Sequence, residues 1–201
     1  MAIGFKNHNE DVESAVRRAS AKGILTFLAA SNQRNMDEIY CPANMNGCFF
    51  GIFATNTGNR ESRGLNPSMA VGSRRHCFAI FGEDLEWNPN EPLVRGTSYS
   101  TSMAAGLAAL LLQFSRQRAD DGVQRPRDLA SLQEMSGMRA VFARISKRDN
   151  SCDCILPWKL LNQGCEPKSA DTVEVARSRL DQRDWVRTTI EQCLVDRYHT
   201  N

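Results

Sequence analysis

The feature that most constrains this chain is a loop of small residues that runs directly into an apolar helix. Residues 96–106 read G-T-S-Y-S-T-S-M-A-A-G, and an apolar run follows as far as Leu112. The backbone N–H groups of a first helical turn have no partner within the helix, and the helix dipole favours negative charge there. An oxyanion that formed beside Ser98 would be stabilised by both effects, as an acyl-transfer nucleophile requires.

The same segment also has a purely structural interpretation. Ser and Thr are preferred at helix N-termini, so Thr97 or Ser98 could serve only as a cap. The nucleophile elbow of the α/β-hydrolases, G-x-S-x-G, requires a glycine at position 100, where this chain has Ser100. An α/β-hydrolase is therefore disfavoured.

Taken as a whole, residues 96–106 resemble the serine-nucleophile motif of the subtilisin-like serine proteases, G-T-S-x-A-T-P-x-x-A-G. The departures are Ser100, where alanine is usual, and Ser102, where proline is usual. Neither position is the nucleophile itself. The resemblance implies that Ser98 is the catalytic nucleophile of a peptide-bond hydrolase.

A second block, residues 11–32, contains a helix followed by a strand. Apolar residues recur at helical spacing over residues 11–22, and Gly23 stands where a helix end favours a left-handed residue. The apolar run over residues 24–30 predicts a strand buried on both faces. A helix followed by such a strand is half of a βαβ unit in a parallel sheet.

The end of this block resembles the A-A-A-G-N segment of the same protease family. Asn32 falls on the asparagine whose side chain donates to the oxyanion in that family, and Ser31 replaces the usual glycine. By itself, Asn32 would be a loop residue with a strong turn preference. The resemblance implies that Asn32 belongs to an oxyanion hole together with the backbone N–H of Ser98.

Further segments follow the family pattern in the right order, over residues 1–116. Residues 1–5 resemble the end of a preceding sheet strand, with Gly4 in one wall of the substrate cleft; the other wall would consist of Ala29, Ala30 and Ser31. Residues 40–43 resemble a Y/F-P-A segment. Residues 49–55 and 77–81 are predicted as strands.

A general base for Ser98 is not visible. A serine nucleophile needs a base and a group that orients it. The three histidines, His8, His76 and His199, stand outside any H-G-T context, and each is interpreted as a surface residue. The family's D-T/S-G and H-G-T motifs precede everything present here, so the Asp and His are expected in sequence upstream of Met1. The chain is predicted to be a fragment or truncated form of a serine endopeptidase that acts on a peptide or protein substrate.

Other functions stay open. A subtilisin-like module without catalysis could act in protein interaction, and an esterase could use the same serine. In-frame D-T/S-G and H-G-T segments upstream would favour the protease, and their absence would favour the interaction module.

Composition excludes several classes of partner. The chain has 201 residues, 41% hydrophobic and 24% charged, and its net charge of +2 is too small to indicate nucleic acid. No signal peptide or membrane span is visible, and no membrane partner is expected. The seven cysteines form no regular framework, and Cys152 and Cys154 are a weak metal signal. No cofactor and no metal are expected, and an intracellular, reducing location is favoured.

The C-terminal part is predicted to be helical. Apolar residues recur at helical spacing over residues 128–145, and the P-W-x-L segment over residues 157–160 resembles fungal intracellular members of the family. Residues 162–169 are interpreted as a polar linker, and residues 170–196 as a charged helix or helix pair. The predicted fold is an α/β, subtilisin-like, mainly parallel sheet with helices on both faces, without its N-terminal strands. It has a partial peptidase domain, 1–161, and a helical tail, 162–201.

Overall fold

The computed structural model describes residues 1–32, 39–45, 49–67, 77–117, 129–161 and 172–196. They divide into two compact units: residues 1–109 with 146–156, and residues 110–145 with 157–201. The sequence-based boundary at residue 161 stays a prediction. Among the described residues, no helix is long and apolar enough to cross a bilayer.

The first unit contains a five-stranded, mostly parallel sheet in the order β1-β2-β3-β5-β4. The strands are β1 (Phe27–Ala29), β2 (Phe50–Thr55), β3 (Cys77–Phe81), β4 (Ser146–Asp149) and β5 (Cys152–Ile155). The pairs β1–β2, β2–β3 and β3–β5 are parallel, and β4 is antiparallel to β5. The sheet is flanked by helices, which confirms the predicted fold class.

The central strands of the sheet have apolar side chains on both faces, and these side chains are buried. On one face, the ring of Phe50 lies 5.0 Å from that of Phe27 and 6.0 Å from that of Phe78. On the opposite face, Leu28 packs against Val16 of α1 (Glu10–Ala21). Such two-sided burial is typical of parallel sheets and explains the near-continuous apolar runs in their sequences.

The N-terminal elements differ in part from the sequence predictions. β1 is shorter than the predicted strand over residues 24–30, because Ile24 is 56% exposed and pairing with β2 begins at the Thr26 carbonyl. Residues 1–5 form no strand. The Met1 carbonyl accepts a hydrogen bond from the Ala29 N–H, and Phe5 forms an isolated bridge with Cys41.

The helix that carries the candidate nucleophile, α2, covers Thr97–Arg116. This helix is apolar in sequence but only partly buried. Ala104, Ala108 and Leu111 are buried, whereas Met103 is 39% and Leu110 69% exposed. One side of α2 is therefore open to solvent in this chain.

The hairpin of β4 and β5 was not predicted. Its turn includes Asn150 in a left-handed conformation (φ 49°), and β5 continues the sheet beside β3. Ser151 donates its hydroxyl to the Glu61 carboxylate, and the Glu61 N–H donates to Asp149. The hairpin is thereby joined to the loop that follows β2.

The second unit is helical. It contains the rest of α2, then α3 (Leu129–Gln133), α4 (Met135–Arg144), a 3-10 helix (Pro157–Leu160) and α5 (Thr172–Asp196). In the last helix, Ile190, Cys193 and Leu194 are buried, whereas Trp185 is 45% exposed. The interpreted linker, 162–169, lies outside the described residues.

Candidate active site

The candidate site lies where parallel strands of the first unit end. β1 leads through Ala30 and Ser31 to Asn32, and β3 leads to Gly82. The Gly96 N–H returns to the Gly82 carbonyl at 2.8 Å, and α2 begins at the next residue. Ligand sites of open parallel sheets characteristically form beyond the carboxyl ends of the strands.

Asn32 and the start of α2 are held together by one hydrogen bond. The Asn32 Oδ1 accepts from the Thr97 backbone N–H at 2.7 Å, across 65 residues of sequence. With Oδ1 occupied in this way, the Asn32 Nδ2 forms no hydrogen bond within the described part of the chain and remains available as a donor. A side chain added to Gly96 would approach that Nδ2 to 3.2 Å, so only glycine leaves this approach unobstructed.

Ser98 is the second residue of α2 and is half-buried. Its backbone N–H has no hydrogen-bond partner among the described residues, since the first-turn bonds of Tyr99 and Ser100 both go to the Gly96 carbonyl. The site therefore presents two unused N–H donors, one from the Ser98 backbone and one from the Asn32 side chain, at the same helix start. This is the composition of an oxyanion-binding site.

The Ser98 hydroxyl has a single described contact, a long hydrogen bond of 3.4 Å to the Ala2 carbonyl. No imidazole or carboxylate of the described residues hydrogen-bonds to it. His8 contacts Glu13 at 3.3 Å near the start of α1. His76 and His199 lie outside the described residues. The structure thus brings Ser98, Asn32 and Ala2 together, and none of the described residues supplies a base to the Ser98 hydroxyl.

The two departures from the family motif have local explanations. Ser100 is fully buried and donates to the Phe81 carbonyl at 3.4 Å, at the end of β3. Ser102 lies one turn after Ser98 and donates to its carbonyl at 3.1 Å, so α2 continues without the usual proline. With both serines present, α2 begins at Thr97.

The four predicted cleft residues, Gly4, Ala29, Ala30 and Ser31, differ in exposure. Gly4 is exposed and approaches Tyr40 so closely that an added Cβ would lie 2.9 Å from the Tyr40 Cβ. Ala29 and Ala30 are buried, and Ser31 has a φ of 141°, a conformation that favours glycine. The substrate-binding role of all four residues stays a prediction.

One supporting residue has no signal in the sequence. Asn66 is buried, and its amide exchanges two hydrogen bonds of 2.8 Å with the N–H and carbonyl of Ala54 in β2. These two hydrogen bonds attach the loop after β2 to the backbone of that strand. Because asparagine is common in loops, only the long-range contact distinguishes it.

Cys152 and Cys154 are poor candidates for catalysis or metal binding. Cys152 and Cys154 are buried thiols, and burial raises the pKa of Cys154 to about 11 and that of Cys152 further still. A thiol rather than a thiolate is a weak nucleophile and a weak ligand. Within the described residues, no group of three or more His, Cys, Asp or Glu could hold a metal ion.

No family model and no curated protein matches this chain. Solved structures do. The prenylagaramide maturation protease PagA matches with a TM-score of 0.55 and 17% identity over 92% of this chain and 60% of its own. The patellamide maturation protease PatA matches with a TM-score of 0.53 and 19% identity over 94% of this chain and 60% of its own.

The PatG macrocyclase domain matches with a TM-score of 0.56 and 13% identity over 92% of this chain and 50% of its own. The chain thus spans half to three-fifths of these proteins. The likeness establishes a subtilisin-type fold, as the sequence resemblance implied. It does not support the resemblance to fungal intracellular members.

Proposed function

We propose that this chain carries the nucleophile and the oxyanion hole of a subtilisin-like serine endopeptidase. The observation that carries the proposal is the pair of unused N–H donors, from Asn32 and the Ser98 backbone, at the helix start that holds the Ser98 hydroxyl. Donors positioned before the reaction stabilise a tetrahedral oxyanion without reorganising, usually the largest single contribution to such catalysis.

The proposed reaction is peptide-bond hydrolysis through an acyl-enzyme. Ser98 Oγ attacks the carbonyl carbon, and its proton passes to a base and then to the departing amine as the C–N bond breaks. Water then attacks the acyl group and restores the hydroxyl. The base and its orienting acid are proposed to be a His and an Asp outside this chain, because none of the three histidines stands in an H-G-T context and the hydrogen bonds of Ser98 among the described residues include neither group.

A second candidate is a subtilisin-like module without catalysis. The observation that favours it is that the described contact of the Ser98 hydroxyl is the Ala2 carbonyl, which cannot accept a proton. In this case the same surface would act in protein interaction. An intracellular, reducing location is proposed for either function, because five described cysteines are thiols rather than disulfides.

Labelling with a fluorophosphonate probe tests the proposal. We expect the chain extended upstream, through any D-T/S-G and H-G-T segments, to be labelled, and Ser98→Ala to abolish that labelling. Ser102→Ala is the matched control, because Ser102 is an exposed serine one turn along the same helix. The Ser102→Ala variant should be labelled as the extended chain with Ser102 is. Labelling that survives Ser98→Ala contradicts the assignment. A folded, extended chain that is never labelled would favour the interaction module.

A further inference from the structure

The segment that joins β3 to α2 is a hairpin that leads directly to the candidate nucleophile. Leu85 and Val94 pair through two backbone hydrogen bonds of 2.9 Å. The tip turns through an N–H···O bond of 2.9 Å from Glu91 to the Asn88 carbonyl. We call residues 82–96 the acidic hairpin.

The base of the acidic hairpin is hydrogen-bonded to the end of β2 and packs against the first turn of α2. The Gly82 N–H donates to the Thr55 carbonyl at 3.1 Å, and its carbonyl accepts from Gly96. A side chain at Gly82 would overlap the Ser100 hydroxyl in the first turn of α2. The hairpin is therefore attached to the same backbone that positions Ser98.

The tip of the acidic hairpin presents apolar side chains to solvent. Trp87 is 79% exposed, the largest exposure of any large apolar side chain in the described residues, and Leu93 is 57% exposed. Pro89 and Pro92 are exposed between them. Covering such a tryptophan would remove a large apolar surface from water, which is favourable, and tryptophan is enriched among residues that dominate binding energy.

The charge of the hairpin is opposite in sign to that of the whole chain. It contains four acidic residues and one basic residue, Glu83, Asp84, Glu86, Glu91 and Arg95, whereas the chain has a net charge of +2. None of the four carboxylates forms an ion pair within the described residues, although carboxylates elsewhere pair with Arg17, Arg148 and Arg187. A basic segment would supply cationic partners for these carboxylates.

We propose that the acidic hairpin binds a basic, partly apolar segment of a polypeptide in extended form. An apolar residue of that segment would cover Trp87, and flanking Lys or Arg would pair with the exposed carboxylates of Asp84, Glu86 and Glu91. An arginine could also lie over the Trp87 ring. That this segment is part of the substrate rests on the proposed function. The binding itself does not, because it needs no reaction at Ser98.

Fluorescence anisotropy in the Ser98→Ala chain tests the proposal without catalysis. The probes are a labelled peptide that alternates Arg and Leu and its counterpart with Glu in place of Arg. We expect the Arg peptide to bind with an affinity that falls as salt rises, and the Glu peptide to bind at least ~10-fold more weakly. Equal binding of the two peptides would overturn the charge complementarity.

Variants then locate the contact. Trp87→Ala should weaken binding by about 10-fold, whereas Trp185→Ala, at an exposed tryptophan outside the hairpin, should not. The combined variant Asp84→Asn, Glu86→Gln and Glu91→Gln should remove the salt dependence. These surface changes leave the core intact, and an unchanged thermal transition verifies it. Equal losses in Trp87→Ala and Trp185→Ala would place binding elsewhere.

The outcome separates this proposal from the proposed function. If Ser98 is labelled by the fluorophosphonate but the Arg peptide does not bind, only the proposal for the hairpin fails. If the Arg peptide binds through Trp87 but the extended chain is never labelled, the hairpin is the recognition surface of a module without catalysis.

Discussion

The helices α1 and α2 both use an asparagine side chain at their N-termini, but at very different distances along the chain. Asn9 immediately precedes α1, and its Oδ1 accepts from the Val12 N–H at 3.0 Å, three residues away. Asn32 belongs to another segment, and its Oδ1 accepts from the Thr97 N–H at 2.7 Å, 65 residues away.

The two helix N-termini also differ in charge. The first turn of α1 contains three acidic residues, Glu10, Asp11 and Glu13, which occupy the positive end of the helix dipole. The first turn of α2 contains none, and the Ser98 N–H is unused. The α1 terminus is thus neutralised by its own side chains, whereas the α2 terminus keeps room for an external anion.

The largest effect is expected from removing the long-range asparagine. In a chain that the fluorophosphonate labels, Asn32→Ala should slow labelling by about two to three orders of magnitude, the usual loss for one oxyanion donor. Asn9→Ala is the matched control and should leave the labelling rate unchanged. If both variants slowed labelling equally, the effect would come from helix stability and not from the oxyanion donor.

The second effect concerns stability, and here the expected loss comes from Asn9 at the start of α1. Asn9→Ala should lower the free energy of unfolding by about 1 kcal/mol, because the Val12 N–H loses its cap. Urea denaturation measures it. Asn9→Ser should restore most of the stability, since serine is also a good cap. No loss in Asn9→Ala would mean that the acidic first turn alone stabilises α1.

A third test compares two residues with a positive φ, Ser31 and Gly23. Ser31, next to Asn32, has a φ of 141°, and Gly23, just after α1, has a φ of 71°. Ser31→Gly should raise the free energy of unfolding by about 1 kcal/mol by relieving strain. Gly23→Ala should lower it by about 1 kcal/mol, because no neighbour blocks its Cβ and only the left-handed backbone opposes it. Thermal melts that shift in the same direction would contradict this account.

The smallest effect comes from making α2 resemble α1. Tyr99→Glu would place a carboxylate in the uncharged first turn, stabilising the helix by roughly 0.3–1 kcal/mol. The same charge should repel a developing oxyanion and slow fluorophosphonate labelling. Tyr99→Gln controls for loss of the ring, and slower labelling in both variants would assign the effect to the tyrosine instead.

Much of the fold followed from local pattern. The helix over residues 11–22 and the strands over residues 49–55 and 77–81 agree with α1, β2 and β3 to within a residue at each end. Each has a continuous periodic or apolar signal. The hairpin of β4 and β5 has none, because the burial of β4 is only partial and Asp153 interrupts β5. Its place beside β3 depends on pairing with residues far away in sequence.

The candidate site likewise contains residues that local sequence predicts and residues that it does not. The position of Ser98 at a helix start could be predicted from residues 96–106, because the first turn of a helix is a local structure. Asn32 could be selected only through the family resemblance, since an asparagine after a strand is otherwise a turn residue. Asn66 could not be selected at all, because its partner Ala54 is 12 residues away and fixed by packing.

By itself, the sequence determined α1, β2 and β3 and which serine lies in the first turn of α2, since these depend on residues within a few positions of each other. Only the tertiary structure decided that Asn32 caps α2 and that Ser98 faces the Ala2 carbonyl, across 65 and 96 residues. Such contacts depend on strand order and register. Those are set by simultaneous packing of both faces of the sheet, which no single stretch of the chain encodes.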